Sequence, residues 1–246
     1  MYFQYQNMMK TPDIRLEITA DGSPTLYRED IDEHYHSVKG ALAESLHVYI
    51  DMGWGNCVAN RVDNCDGNTG IRVFEVGFGT GLNAALTAES ALSNQIHTEY
   101  FSIELFPLDP SAVEQILHTV PDKYRSILKN INEAEWDAPV NINPYFSLTK
   151  INGNLLDCEL PTDIDAVYFD AFAPDKQPEM WSVDIFQKLY EAMSPAATLT
   201  TYCAKGAIRR MLNMIGFTTQ RLPGPPGGKR EILRAIKPSQ TTDNKE

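Results

Sequence analysis

Apolar side chains recur along this chain in two rhythms, and the change from one to the other divides it. Residues 14–19 alternate apolar and polar positions, Asp21-Gly22 is a hairpin signal, and residues 25–28 can return as a second strand. From Ser37 to about Asp51 the period lengthens, with Val38, Ala41, Leu42, Leu46, Tyr49 and Ile50 along one helical stripe. Residues 53–70, rich in Gly, Asn and Asp, read as a loop.

From Ile71 short apolar runs alternate with helical patterns. Strands are predicted over 71–76, 100–104, 146–151, 164–169 and 197–202. Helices are predicted over 82–93, from 111 into the 120s, from an N-cap at Ser182 to Met193, and over 205–215, where Gly216 stops the last one. Residues 217–221 and 231–236 form a hairpin around Pro223-Gly224-Pro225-Pro226-Gly227-Gly228. Repeated β-α units predict an α/β fold with a doubly wound, mostly parallel, Rossmann-like sheet. The hairpin adds antiparallel strands at one edge. Three parts are expected: an N-terminal extension of hairpin, helix and loop (1–70) packed on a main domain (71–237), and a polar, disordered tail (238–246).

Charge sharpens this picture. Hydrophobic residues make up 43% and charged residues 22%, which excludes wholesale disorder. No uncharged apolar run reaches the ~18 residues of a membrane span, so a cytoplasmic protein is expected. The formal net charge of −12 taken whole argues against a polyanionic partner. It is unevenly placed, however: residues 1–200 carry 12 basic and 30 acidic side chains, whereas 201–237 carry eight basic ones against Glu231 alone. A basic C-terminal segment on an acidic body hints at a local anionic partner, the alternative being solvated edges of a helix and hairpin. Cys57, Cys65, Cys158 and Cys203 show no CxxC pair and read as thiols. His34 and His36 lie beside Asp32 and Glu33 without a second ligand cluster, so they read as a solvated loop and no metal is expected.

The candidate chemistry sits at strand ends. Gly77-Phe78-Gly79-Thr80-Gly81 follows the strand 71–76 with GxGxG spacing, not the GxGxxG of dinucleotide sites, which disfavours a nicotinamide enzyme. Glu104 ends the next strand about 23 residues on, where an acid can bind both hydroxyls of a ribose. Together they resemble the class I S-adenosylmethionine-dependent methyltransferases. That resemblance implies that Gly77, Gly79 and Gly81 flank the methionine portion of the cofactor, Glu104 its ribose, and Asn154 its adenine. Asp170 ends the strand 164–169 beside the glycine turn, with capping of the next turn as the structural alternative. A carboxylate there could accept an N–H hydrogen bond from an amine nucleophile, orient its lone pair and take its proton.

A longer match is more specific. The run Asp170-Ala171-Phe172-Ala173-Pro174-Asp175-Lys176-Gln177-Pro178-Glu179-Met180-Trp181 resembles the methyltransferase domain of MnmC, the bifunctional tRNA 5-methylaminomethyl-2-thiouridine biosynthesis protein, and its stand-alone relatives. Glu75 through Asn83, Ser102 through Leu108, Thr201 through Gly206, Arg209-Arg210 and Lys229-Arg230-Glu231 agree, as do Tyr27 and Gly40 through Ser45. The resemblance implies methylation of the aminomethyl group of a modified wobble uridine in tRNA, with S-adenosylmethionine as donor and S-adenosylhomocysteine as product. It implies a cofactor site of Glu75, Gly77, Phe78, Gly79, Gly81, Asn83, Glu104, Asn154 and Asp170, with Asp170 catalytic. Lys205, Arg209, Arg210, Lys229 and Arg230 would hold tRNA phosphates, and Phe172, Trp181 or Tyr202 would sandwich the target base. Core packing is the alternative for each aromatic taken singly. No flavin fingerprint follows, so oxidase activity and FAD are not expected and a separate enzyme would supply the aminomethyl precursor. Tyr35-His36-Ser37 departs from the aromatic-serine pair more usual there. The other readings are a class I methyltransferase of a small-molecule amine and a binding module without chemistry.

Overall fold

The computed structural model describes residues 14–61 and 70–239. Eight strands form one sheet in the order β10-β11-β9-β8-β4-β5-β7-β6. Five of them, β4 (Ile71–Val76), β5 (Thr98–Glu104), β7 (Phe146–Asn152), β8 (Ile164–Phe169) and β9 (Met193–Thr201), run parallel. The hairpin of β10 (Thr218–Pro223) and β11 (Glu231–Ile236) adds antiparallel strands beyond β9. The other edge is antiparallel too: β6 (Pro139–Asn143) pairs with β7. Sequence periodicity misses β6, because a short edge strand with two asparagines has one weak apolar face. A separate antiparallel sheet holds β1 (Ile14–Ile18), β2 (Pro24–Arg28) and β3 (Glu33–His34).

From β4 the chain goes to β5 on one side, and β8 closes against β4 on the other. The switch point therefore lies between β4 and β8, and the crevice outside their carboxyl ends is where ligands enter such sheets. Two apolar clusters cover the two faces of the sheet. One gathers α3 (Leu82–Asn94), α4 (Pro110–Thr119), α5 (Asp122–Glu133) and the N-terminal helix; the other gathers α6 (Val183–Ala192) and α7 (Gly206–Ile215).

Three expectations change. The expected single helix after Ser111 is two, because Val120 precedes Pro121 and adopts an extended conformation (φ −67°, ψ 146°). The N-terminal helix starts at Ala41 and leaves Val38 outside and exposed. It also does not stop in a loop at residue 53. It runs as α1 (Ala41–Ser45), a π-helical stretch Leu46–Trp54 and α2 (Gly55–Arg61). Gly53 is there for packing and not for chain reversal: a Cβ at this position would lie 2.9 Å from Cε1 of the buried Tyr168 and 3.1 Å from Oγ1 of Thr200. This close approach seats the helix on β8 and β9, and Trp54 Nε1 donates to Thr98 Oγ1 at 3.1 Å. The N-terminal helix thus shares one core with β4 and α3.

Residues 62–69, which include Cys65, and 240–246, most of the expected disordered tail, lie outside the described residues. Among the described residues, no helix is long and apolar enough to cross a membrane.

Gly53→Ala sets overpacking of ~1–3 kcal/mol against roughly 1 kcal/mol of helix propensity. A net loss of about 1 kcal/mol is expected, read as a lower urea midpoint with unchanged slope.

Candidate active site

The turn after β4 passes through Gly77 (φ 90°), Gly79 (φ 50°) and Gly81 (φ 79°) before α3 begins. A Cβ on Gly77 would sit 2.8 Å from the Asp170 carbonyl oxygen, so glycine lets the turn and the end of β8 meet. The Asp170 N–H donates to Val76 O at 3.0 Å. Gly77 and Phe78 both donate to Ile103 O at the end of β5. Three strand ends are thereby pinned around one crevice, a cavity of about 400 Å³.

Glu104 and Asp170 both line it. Glu104 takes the Gly79 N–H on Oε2 at 3.1 Å and the Phe106 N–H on Oε1 at 3.0 Å. Burial raises its pKa while these two N–H donors pull it down. Asp170 is held on both oxygens: the Tyr49 hydroxyl donates to Oδ1 at 2.6 Å and Asn83 Nδ2 donates to Oδ2 at 2.8 Å. Burial lifts Asp170 to about 6 against those donors and the nearby Lys229 charge. The same Asn83 Nδ2 also donates to Glu75 Oε1 at 3.0 Å, and the Ser102 hydroxyl lies 2.6 Å from Glu75 Oε2. Glu75 is fully buried, which drives its pKa to about 8, with the Asp170 charge adding to the rise. Burial thus raises both carboxyls, Glu75 further than Asp170, so of the two it is Asp170 that gives up its proton more readily.

The sequence-proposed residues divide accordingly. Gly77, Phe78, Gly79, Glu104, Asn154 and Asp170 come together at the cavity wall. Asn154 spends its Oδ1 on the Leu156 N–H at 3.0 Å. Glu75, Gly81 and Asn83 do not line the cavity: Asn83 donates to Asp170 and to Glu75 behind the cavity wall, while Gly81 faces Phe78, Ile131 and Asn132. Phe172 and Tyr202 line the cavity, but Trp181 does not. Trp181 is 4% exposed, packs on Phe169 and Phe186, and donates Nε1 to Phe172 O at 2.8 Å, so it is a core residue and not a stacking face for a base.

The basic group also separates. Arg210 and Arg230 are exposed, Arg209 is half-buried, and Lys205 pairs with Asp175. Lys229 lines the cavity, with Nζ 3.2 Å from Glu44 Oε2 and 3.5 Å from the Tyr202 ring centroid, so it points inward instead of outward to a phosphate. His36 is not in a solvated loop: its Nε2 lies 3.0 Å from Thr80 Oγ1 in the glycine turn, and burial lowers its pKa to about 4. His34 Nε2 pairs with Glu17 at 3.0 Å. Among the described residues no group of three or more His, Cys, Asp and Glu side chains could hold a metal.

Sequence reasoning misses Tyr49, Glu44 and Arg28 as site residues. Tyr49 falls on the apolar stripe and reads as packing; its hydroxyl is the only hint, since a buried tyrosine O–H needs a partner. Arg28 lines the cavity with its guanidinium over the Phe106 and Phe172 rings, and it pairs with Asp30.

Residues 112–238 match the family described as S-adenosyl-L-methionine-dependent methyltransferase. The tRNA 5-methylaminomethyl-2-thiouridine biosynthesis bifunctional protein MnmC of Pseudomonas fluorescens is 34% identical over 236 residues, covering 91% of this chain and 34% of its own length. The protein of the same name from Leptospira interrogans is 29% identical over 228 residues, covering 88% of this chain and 34% of its own length. The chain thus spans about a third of the curated relatives it matches. In fold it is similar to MnmC2 from Aquifex aeolicus, with a TM-score of 0.73 and 23% identity over 94% of this chain and 72% of that one. Spermidine synthase from Thermotoga maritima follows at a TM-score of 0.53 and 14% identity, over 91% of this chain and 69% of that one.

Because the raised pKa of Glu75 favours its protonated form, its burial supports the fold fully below its unfolded value of 4.5. That support is lost as pH rises through about 8. Wild-type stability should therefore fall between pH 5 and 8 by up to roughly 1.4 kcal/mol per pH unit from this group. Glu75→Gln should flatten the slope, measured by urea denaturation across that range.

Proposed function

Because the chain belongs to the S-adenosyl-L-methionine-dependent methyltransferase family, we propose that it methylates the aminomethyl nitrogen of 5-aminomethyl-(2-thio)uridine at the wobble position of tRNA. The product is the 5-methylaminomethyl form. The observation that carries this reading is Asp170: an enclosed carboxyl group at the glycine turn, gripped on both oxygens and lining a cavity also lined by aromatic rings and by Glu104. The relatives, matched over about 90% of this chain, are tRNA-modifying proteins by name, which supports tRNA as the substrate.

The residues present fit the cofactor. The glycine turn leaves backbone exposed where a Cβ would crowd, and Glu104 keeps acceptor capacity for a ribose diol beyond its two backbone N–H partners. Gly77, Phe78, Gly79, Glu104 and Asn154 would hold it. When bound, S-adenosylmethionine supplies a methyl group already activated by a sulfonium. The protein therefore needs to align the nucleophile, free its lone pair and exclude water.

Asp170 does the second of these. Its oxygens accept from Tyr49 and Asn83, which fix the carboxylate plane, and a further lone pair can take an N–H of the incoming amine. A lysine-like amine is protonated in water, with a pKa of ~10.4, and a carboxylate alone favours the ammonium. The apolar walls at Val76, Ile103 and Leu155 counter this by disfavouring charge. Asp170, fixed by Tyr49 and Asn83, would take the proton that the nitrogen sheds as it is methylated. The transfer requires neither a metal nor FAD.

The catalytic unit draws Tyr49 from the N-terminal extension 1–70 as well as the domain 71–237, and works in the cytoplasm, where tRNA is found. Arg210 and Arg230 are exposed cations that could meet phosphates, with the half-buried Arg209 and the Asp175-paired Lys205 as further candidates. The acidic body, 30 acidic against 12 basic residues over 1–200, favours the alternative of a small cationic amine as substrate.

Asp170→Asn should lower methyl transfer ~10²–10⁴-fold while cofactor affinity, measured by calorimetry, stays within a few-fold. Nucleoside mass analysis of aminomethyl-bearing tRNA reads the product; unchanged turnover removes Asp170 from the mechanism. Reversing Arg210 and Arg230 to Glu should weaken tRNA binding and flatten its dependence on salt. Salt-independent activity on a free amine instead supports the small-molecule alternative.

A further inference from the structure

Glu44 is a carboxylate in an unusual place. It lies on α1, is 7% exposed, and lines the cavity beside Asp170. Its Oε1 takes the Ser37 N–H at 3.3 Å, but among the described residues no hydrogen-bond donor meets Oε2. The charge on that oxygen is answered by the Lys229 ammonium at 3.2 Å. The same ammonium lies 3.5 Å from the centroid of the Tyr202 ring, a cation–π contact. That ring is not adjustable: its hydroxyl donates to Ala171 O at 2.8 Å, and its edge meets Trp181. A carboxylate and a fixed aromatic face thus enclose one cation at the wall of the cavity that Asp170 faces.

The cation itself is less firmly placed. Lys229 follows the Pro- and Gly-rich turn between β10 and β11, and its side chain is 40% exposed. It reaches the site from solvent and can withdraw to solvent. The end of a lysine side chain, a methylene carrying an ammonium, is also the same chemical group as an aminomethyl substituent on a pyrimidine.

We propose that Glu44 and the Tyr202 ring form the recognition site for the substrate's primary ammonium, and that Lys229 occupies this site as an internal surrogate until the substrate displaces it. The inference rests on the aminomethyl-uridine reading above and adds to it the residues that select an amine. On binding, exchange of one ammonium for another keeps the buried carboxylate neutralised, which an uncharged C5 substituent would not do; the proton is given up to Asp170 only afterwards. The amine is also delivered beside Asp170, whose carboxyl feels the Lys229 charge and whose Tyr49 partner feels Glu44.

The test compares two anticodon stem-loops by calorimetry on the full chain, one with 5-aminomethyluridine at the wobble position and one with 5-methyluridine. The wild type should prefer the amine. Glu44→Gln should cut that preference roughly tenfold or more and leave the 5-methyl loop unaffected, since only the charged group loses its partner. Lys229→Met should raise the preference, because the competing cation is gone. Tyr202→Leu, which removes no charge, should lower it and covers the case in which Glu44→Gln does not fold. Overturning results are an unchanged preference in the folded Glu44→Gln or Tyr202→Leu protein, or a preference lost in Lys229→Met as fully as in Glu44→Gln. Methyl transfer by the wild type keeps the two levels apart. If the wild type methylates the aminomethyl loop and the Glu44 variant discriminates normally, this inference alone fails; if the wild type methylates nothing, the functional reading fails and takes the inference with it.

Discussion

A single amide, the Nδ2 of Asn83, is shared by two carboxyl groups, Glu75 beneath the sheet's carboxyl edge and Asp170 at it. Water reaches the first not at all, and the interior will not carry two negative charges linked by one donor. Burial raises both, Glu75 to about 8 and Asp170 to about 6, a difference that favours the proton on Glu75 and the charge on Asp170. The carboxyl that lines the cavity is thus tuned partly by a neighbour that does not line it. Glycine at position 77 is what allows β8 and the turn after β4 to approach closely enough for the pair to form.

The second oxygen of Asp170 depends on a part of the chain that looks peripheral. Tyr49 reaches it from the π-helical stretch, and that stretch lies close to the sheet because Gly53 has no side chain to strike Tyr168. A π-helical register inside a helix is common where a side chain must be re-aimed toward a site. The N-terminal segment also walls the cavity: Tyr35 lies against Gly79 and Phe172, His36 meets Thr80, and Glu44 adds an acid to Glu104 and Asp170. What reads along the chain as an extension is, in space, a wall of the site.

Charge tells a similar story of position over quantity. The basic C-terminal segment reads as a surface for an anion, yet Lys229 turns inward to a buried acid and Lys205 is paired with Asp175. The exposed cations that remain, Arg210 and Arg230, are fewer than the sequence count suggests. A lysine whose carboxylate partner and aromatic neighbour both line the cavity belongs to the chemistry of the site before it belongs to a binding surface.

Local patterns in the chain suffice for the alternation of strands and helices, the parallel sheet with its C-terminal hairpin, the glycine turn, and the two acids at strand ends, Glu104 and Asp170. These are legible because periodicity, glycine spacing and position at a strand terminus are local properties. The helix through Gly53 and Gly55 and the edge strand Pro139–Asn143 were not legible, since in both the residue composition argues for a loop and only packing against the sheet overrides it. Trp181 was misplaced for the complementary reason: an aromatic in a characteristic motif can serve the core as well as a ligand, and exposure alone separates them. Tyr49 meets Asp170 across 121 positions, and Lys229 meets Glu44 across most of the chain. Only the tertiary structure could decide these contacts, because the partner that a buried hydroxyl or charge must find is set by how distant elements pack, and no local pattern records it.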